Sequence, residues 1–169
     1  MRYFILFLVI ASACTDAISV NVRHGIERFD AYRNLLEGKR VGIVANHTSR
    51  VDTTHGVDFL LGKGIHVVRI FCPEHGFRGT ADAGETVGDY TDKGSGLQVI
   101  SLYGKKKKPS PADLEGIDVM IFDMQDVGTR FYTYLSTLHY VLEACAERDI
   151  PVIVMDRPNP NAFYVDGPV

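Results

Sequence analysis

The sequence has few cysteines, no large excess of either charge and no long apolar run, and each shortage excludes a class of protein. Its three cysteines are isolated, which excludes the disulfide framework of a small secreted scaffold. Its formal net charge is −3, so it lacks the basic field that nucleic-acid-binding proteins need. No segment reaches the ~20 apolar residues of a membrane-spanning helix. We therefore expect a globular domain with no nucleic-acid partner.

The first residues have the pattern of a secretory signal. Met1-Arg2-Tyr3 is a short basic region, Phe4–Ile10 is apolar, and Ala11-Ser12-Ala13 is an A-x-A cleavage site. Cys14 follows directly, at the position where a bacterial lipoprotein signal carries the cysteine that becomes lipidated. We therefore predict a signal peptide at 1–14 and export to the periplasm or cell envelope. The mature chain is expected either to carry a lipid anchor at Cys14, its sole membrane attachment, or to be plainly secreted.

Short apolar segments rich in β-branched residues alternate with helical patterns along the rest of the chain. Strands are predicted at 41–45, 66–72, 119–122 and 151–155, with a weaker edge-type candidate at 97–102, and helices at 29–36, 57–61 and 131–147. Nearly continuous apolar runs are typical of strands covered on both faces. The alternation predicts an α/β fold, a Rossmann-like, open, mostly parallel sheet with helices on both faces. The length after the signal suits one domain, at 23–169.

Polar residues follow every predicted strand. Ligands bind outside the carboxyl ends of the strands in an open parallel sheet, so we expect these residues to converge on one site. In chain order they are Asn46 and His47; Glu74, His75 and Arg78; Asp123, Asp126, Arg130 and Tyr132; and Asn159.

Glu74 is the strongest candidate for acid–base chemistry. It is held by Pro73 directly after a buried strand, where partial desolvation would raise the pKa of a carboxylic acid toward neutrality. The alternative is a glutamate that only forms an ion pair with Arg78 or Arg130.

Three further features favour unremarkable interpretations. His47 and His75 lack the local ligand spacing of a zinc site, so we predict no metal and no cofactor. The basic run Lys105–Lys108 lies between turn residues and is typical of a solvated loop. Cys72 and Cys145 fall in apolar segments and are expected to be buried.

Several longer stretches resemble the exo-β-N-acetylmuramidase (NamZ) family. They are Gly25–Glu27, Val41–Ser49, Pro73-Glu-His-Gly-Phe-Arg-Gly79, Ala83–Glu85, Phe122–Tyr134 and Asp156-Arg-Pro-Asn-Pro160, and they span almost all of the chain after the signal. The resemblance implies a Rossmann-like N-terminal domain joined across a cleft to a smaller C-terminal domain. Family members continue beyond the point where this sequence stops, so we expect this chain to represent the N-terminal domain, with the C-terminal one absent.

The resemblance also implies an activity, the release of terminal, non-reducing N-acetylmuramic acid from peptidoglycan-derived muropeptides or disaccharides. Glu74, the glutamate of the Pro-Glu-His-Gly motif, is then the leading catalytic residue. Asp123 and Asp126 are candidates for the second catalytic carboxylate, whose distance from the first decides between retention and inversion. For Asp123 we favour orienting the loop and substrate, while for Asp126 the alternative is capping a helix that begins near Thr129.

The remaining candidates are expected to bind the sugar. Arg78 and Arg130 have the geometry to pair with the lactyl carboxylate of muramic acid, or are structural. Tyr132 and Tyr134 lie two apart in a predicted helix, so at most one should face the cleft. Asn46, His47, His75 and Asn159 complete the predicted substrate-binding set.

Three other functions are open. A dinucleotide-binding module needs a glycine-rich turn after the first strand, where this chain has Asn46-His-Thr-Ser49. A magnesium-dependent phosphohydrolase has two motif aspartates two positions apart, whereas Asp123 and Asp126 are three apart. A cell-wall module that binds muropeptides without cleaving them is the main non-enzymatic alternative.

Overall fold

The computed structural model describes residues 22–73, 76–79 and 88–163. The strands are β1 (Val41–Ala45), β2 (Arg50–Val51), β3 (Thr54–His55), β4 (Val67–Cys72), β5 (Tyr90–Thr91), β6 (Gln98–Ser101), β7 (Val119–Asp123) and β8 (Val152–Val154). The helices are α1 (Phe29–Leu36), α2 (Gly56–Gly62) and α3 (Tyr134–Ala146), preceded by a 3₁₀ turn at Gly25–Glu27. The predicted signal peptide, Cys14, Glu74 and His75 lie outside the described residues.

The main sheet is open and mostly parallel. Its strand order is β5-β6-β4-β1-β7-β8, and β1–β4, β1–β7, β4–β6 and β7–β8 are parallel pairs. β5 pairs antiparallel with β6 at one edge. Because β1 lies between β4 and β7, the chain leaves the centre of the sheet in both directions. This confirms the predicted α/β fold.

Apolar layers cover both faces of this sheet. One buried cluster joins α1 and α2 to the first face and contains Leu36, Leu60 and Ile43. A second cluster joins α3 to the other face and contains Val141 and Val44. Successive residues of a strand point to opposite faces. Because both faces of the sheet are covered, all of β1 is buried, which explains its uninterrupted apolar sequence.

The predicted helix at 29–36 agrees with α1, but α3 begins at Tyr134 rather than near 131. The preceding residues form a turn, in which the Tyr132 N–H donates to the Thr129 carbonyl at 3.2 Å. The short strands β2, β3 and β5 were not predicted, because two residues cannot show a repeating pattern. Within the described ranges, no helix has the length and apolar character needed to cross a membrane.

Candidate functional site

The loop after β1 is held by a buried asparagine. Asn46 is fully buried, and its Oδ1 accepts hydrogen bonds from the Thr48 N–H at 2.9 Å and the Thr48 hydroxyl at 2.6 Å. Its Nδ2 donates to the Tyr134 hydroxyl at 2.8 Å, at the start of α3. Burial raises the pKa of the Tyr134 phenol, so this hydroxyl stays protonated. These contacts give Asn46, predicted to bind substrate, a positioning role.

The loops after β1 and β7 are joined at the centre of the sheet. The Gln125 N–H donates to the Thr48 hydroxyl at 3.0 Å, and the Ser49 hydroxyl donates to the Asp123 carbonyl. Gln125 also donates through Nε2 to the Pro158 carbonyl at 2.8 Å, in the loop after β8. The polar loops therefore meet at one edge, as a parallel sheet requires.

Asp123 lies beneath this edge rather than on it. Its side chain is fully buried and accepts from Arg157 Nε at 2.7 Å and from Arg157 Nη2 at 3.1 Å. Burial raises the pKa of the Asp123 carboxyl, and the adjacent guanidinium opposes that shift. Both oxygens are engaged below the surface, which favours the orienting role over direct catalysis.

His55 connects α2 to the same edge. Its Nδ1 accepts from the Val57 N–H at 3.2 Å, which caps α2, and its Nε2 lies 2.9 Å from the Asn46 carbonyl. These partners require the neutral ring with the proton on Nε2. Burial lowers the pKa of His55, and the ring packs edge-on against Phe77 at 4.4 Å between centroids.

Arg78 is bound by two carboxylates. It donates from Nη1 and Nη2 to Asp58 at 2.9 and 3.1 Å, and from Nε and Nη2 to Asp92 at 2.8 Å each. The same hydrogen bonds hold the pKa of Asp92 well below its usual range. The guanidinium carbon also lies 4.8 Å from the centre of the Phe77 ring. Arg78 thus ties the 76–79 segment to α2 and to the turn after β5, which favours its structural alternative.

Other predicted residues occupy the exposed rim. His47 is exposed, and a Cβ at Gly79 would lie 2.9 Å from the His47 Cβ, so the loops after β1 and β4 approach closely. Asp126 is exposed and accepts from the Gly128 N–H at 2.9 Å. It therefore closes a turn, and it does not cap a helix at Thr129 because α3 starts later.

The helical spacing assumed for the two tyrosines is wrong, because only Tyr134 lies in α3. The rings of Tyr132 and Tyr134 contact each other edge-on, with centroids 4.8 Å apart, because Tyr132 precedes α3 and helical spacing does not apply. Tyr134 is buried and Tyr132 is partly buried. Arg130 and Asn159 are exposed on neighbouring loops, and the Asn159 Oδ1 accepts from the Asn161 N–H at 2.9 Å.

Two cavities open at this edge, one on each face of the sheet. The polar one has a volume of about 300 Å³ and is lined by His47, Arg50, Thr53, Thr54, His55, Asp58 and Arg78. The other has a volume of about 190 Å³ and is lined by Pro73, Leu102, Tyr103, Lys107, Thr133, Ser136, Thr137 and Tyr140. Pro73, the last described residue after β4, lines the smaller cavity.

In the part of the chain that the structure describes, no group of three or more His, Cys, Asp or Glu side chains could hold a metal ion. Cys72 and Cys145 are buried, as expected, and burial raises the pKa of both thiols, that of Cys145 to about 11. Neither is suited to act as a nucleophile at neutral pH.

Sequence reasoning missed Arg157, His55, and the two aspartates that hold Arg78. A buried aspartate needs a cation. Arg157 follows the predicted strand at 151–155, so its position in the sequence could have identified it as the partner of Asp123. His55 gave no signal, because histidine is not a common N-cap residue.

The fold and the polar loops that meet at the strand ends together define an α/β protein with a polar site at the carboxyl ends of a parallel sheet. Residues 41–169 match the family described as exo-beta-N-acetylmuramidase NamZ, N-terminal. The chain belongs to this family, which confirms the resemblance found in its motifs.

Known relatives are longer than this chain. It is 47% identical over 142 residues to the peptidoglycan beta-N-acetylmuramidase NamZ of Bacillus subtilis (strain 168), covering 82% of this chain and 34% of that protein. Crystal structures of two DUF1343 family proteins from Bacteroides fragilis NCTC 9343 are similar, with TM-scores of 0.74 and 0.73 at 43% and 41% identity. The matched regions cover 86% and 82% of this chain, and 37% and 35% of the two Bacteroides fragilis chains. The chain spans about a third of the length of these relatives.

Proposed function

We propose that this chain supplies the Glu74-bearing part of a glycoside hydrolase that releases terminal, non-reducing N-acetylmuramic acid from peptidoglycan fragments. The observation that carries the proposal is the family match over residues 41–169, which runs through every loop of the polar edge. A relative with 47% identity is named a peptidoglycan beta-N-acetylmuramidase, which supports this substrate class.

Glu74 is the proposed general acid/base. In sequence it follows β4 and Pro73, and Pro73 and Leu102 line the smaller cavity. An apolar wall disfavours the ionised carboxylate, and a carboxyl that stays protonated near neutral pH can donate a proton to the leaving glycosidic oxygen.

Of the two predicted partner carboxylates, Asp126 is the one that reaches the surface. Asp123 has no exposed area, so we assign it the role of fixing the loops after β7 and β8 through Arg157. His47 and Asn159 lie on the exposed rim, where their side chains can hydrogen-bond sugar hydroxyls or the acetamido group.

A peptidoglycan substrate agrees with the signal pattern of residues 1–14, so we further propose that the protein acts in the bacterial cell envelope. Lipid attachment at Cys14 is tested by metabolic labelling with a fatty-acid analogue, using Cys14→Ser as the comparison. Label in the unmodified protein alone supports the anchor, and label in neither supports plain secretion.

The hydrolase proposal is tested with a chimera in which this chain replaces the equivalent third of the Bacillus subtilis relative. Release of N-acetylmuramic acid from a chromogenic muramide is measured for the chimera, its Glu74→Gln variant and its Glu37→Gln variant. Glu37 pairs with Arg33 at the end of α1 and serves as the matched control. General acid–base catalysis contributes ~10²–10⁴ in rate, so Glu74→Gln should lower kcat at least about a hundredfold while Glu37→Gln leaves it unchanged.

Two results would contradict this. A folded chimera that binds muropeptides and releases no sugar favours the binding-module alternative. Full activity in Glu74→Gln leaves the hydrolase standing but assigns its acid to another residue.

A further inference from the structure

The smaller cavity combines an apolar wall, hydroxyl groups and a cation. Pro73 and Leu102 supply the wall, while Ser136 and Thr137 supply hydroxyls from the first turns of α3. Lys107 lies at the rim as the one cationic side chain among the lining residues. With about 190 Å³, the cavity is smaller than the ~300–1,000 Å³ typical of sites for drug-sized ligands. It therefore suits one small group that has both an apolar and an anionic part.

Lys107 is held in place by its neighbours in sequence. The Lys106 ammonium lies 3.2 Å from Asp89 and 3.4 Å from Asp113. On the other side, the Lys108 ammonium lies 3.3 Å from Glu143 and 2.7 Å from Glu147, both on or next to α3. The basic run is therefore more than a solvated loop, because two of its lysines anchor it and the one between them faces the cavity.

The start of α3 adds positive potential at the same place. Its N-cap residue, Thr133, makes no side-chain hydrogen bond to the first turn, and that turn carries no acidic residue. The partial positive charge of a helix N-terminus favours a nearby anion. Since Thr133 also lines the cavity, the helix end and Lys107 act on the same volume.

Of the two arginines expected to bind the sugar's carboxylate, Arg78 is already bound by two aspartates on the other face of the sheet. We propose that the cavity receives the lactyl arm of N-acetylmuramic acid, with its carboxylate on Lys107 and its methyl group against Pro73 and Leu102. This inference rests on the proposed function for the identity of the sugar. It assigns selection of muramic acid over N-acetylglucosamine, which lacks this arm, to a residue outside the family motifs.

The test is a titration of the ¹⁵N-labelled chain with sugars. Binding is monitored by NMR through the chemical shifts of the Leu102, Ser136 and Thr137 amides. The ligands are N-acetylmuramic acid, its methyl ester and N-acetylglucosamine. The variants are Lys107→Met and, as the control, Lys105→Met, which changes an exposed lysine of the same run that does not line the cavity.

We expect the free acid to shift these amides, and Lys107→Met to raise its Kd about tenfold, the scale of one charge-assisted hydrogen bond. The ester should bind the unmodified chain as weakly as the acid binds Lys107→Met, and Lys105→Met should behave like the unmodified chain. Equal Kd values for the acid in the Lys107→Met and unmodified chains would overturn the proposal. So would shifts confined to the polar cavity around His47 and Arg50, or no binding of either sugar.

Failure of the proposed function is a separate result. A chimera that releases no sugar, together with Lys107-dependent binding of the acid, refutes the hydrolase and retains the subsite. An active chimera whose chain shows no response at the cavity amides retains the hydrolase and refutes the subsite.

Discussion

The carboxylate of Asp123 and the guanidinium of Arg157 form a buried ion pair that joins the ends of β7 and β8. Their side chains are 0% and 3% exposed, and Nε lies 2.7 Å from Oδ1. Arg157 also donates from Nη2 to the Arg50 carbonyl at 3.2 Å. One guanidinium therefore connects the loop after β8, the end of β7 and the start of the β2–β3 hairpin.

Arg157→Met should strongly destabilise the fold, because it leaves the Asp123 carboxylate buried without a partner. Breaking a buried pair in this way costs about 3–5 kcal/mol, which urea unfolding measures directly. The control is Arg33→Met, which breaks the exposed Arg33–Glu37 pair and should cost less than about 1 kcal/mol. Adding Asp123→Asn to Arg157→Met should recover part of the loss. Equal losses for the two arginine variants would contradict the buried-pair account.

His55 should make stability depend on pH. Its pKa in the folded protein is lowered by burial, while in the unfolded chain it is about 6.5. The unfolded state therefore binds the proton more readily, so the contribution of His55 is complete above about pH 6.5 and is lost as the pH falls toward the folded pKa. Protonation of Nδ1 would also remove the cap on Val57 N–H.

The comparison is His55→Asn, which keeps an N-cap acceptor and removes the titrating group. Free energies of unfolding are measured in urea at about pH 7.5 and 5.5. The unmodified protein should lose more stability on acidification than the variant, since the surrounding Arg78, Asp58 and Arg50 are present in both. An identical pH dependence in both proteins would show that His55 does not titrate in this range.

Gly128→Ala should displace Asn159. Gly128 has a φ of 71°, and a Cβ there would lie 1.9 Å from the Asn159 Oδ1. Gly38 is the matched control, with the same φ of 71° and no atom within 4 Å of an added Cβ. Both alanines incur the ~1–2 kcal/mol of a left-handed backbone, so Gly128→Ala should cost more by the contact with Asn159.

Thermal unfolding compares the two alanine variants. In an Asn159→Gly background, Gly128→Ala should cost only as much as Gly38→Ala, because the clash is then removed and the loss of the Asn159–Asn161 hydrogen bond is common to both proteins compared. If Gly128→Ala costs as much in the Asn159→Gly background as in the unmodified protein, the strain lies elsewhere in the 126–132 turn.

Sequence periodicity predicted the sheet because its strands are buried on both faces. Val41–Ala45 and Val119–Phe122 are continuous apolar runs for that reason, and the parallel order then places Asn46 and Gln125 at the same edge. The α1 boundaries were also predictable, since Gly38 provides the positive φ that ends the helix.

The periodicity of the sequence could not predict the contacts within the site. Which carboxylate binds Arg78 depends on how α2 and the turn at Asp92 approach it, and those segments are 20 and 14 residues away in sequence. Lys107 was hidden for a similar reason. Its role depends on the ion pairs that fix Lys106 and Lys108, and a run of lysines looks the same in sequence whether it is anchored or solvated.

The hydrogen bonds between the loops after β1 and β7 separate the two cavities of this edge. Asn46 and Ser49 are fully buried there, at the strand ends where a nucleotide-binding sheet admits a pyrophosphate. Among the described residues, the polar cavity and the smaller cavity therefore lie on either side of these joined loops. A ligand that reaches both cavities has to carry two groups that diverge from each other, as the substituents of a ring do.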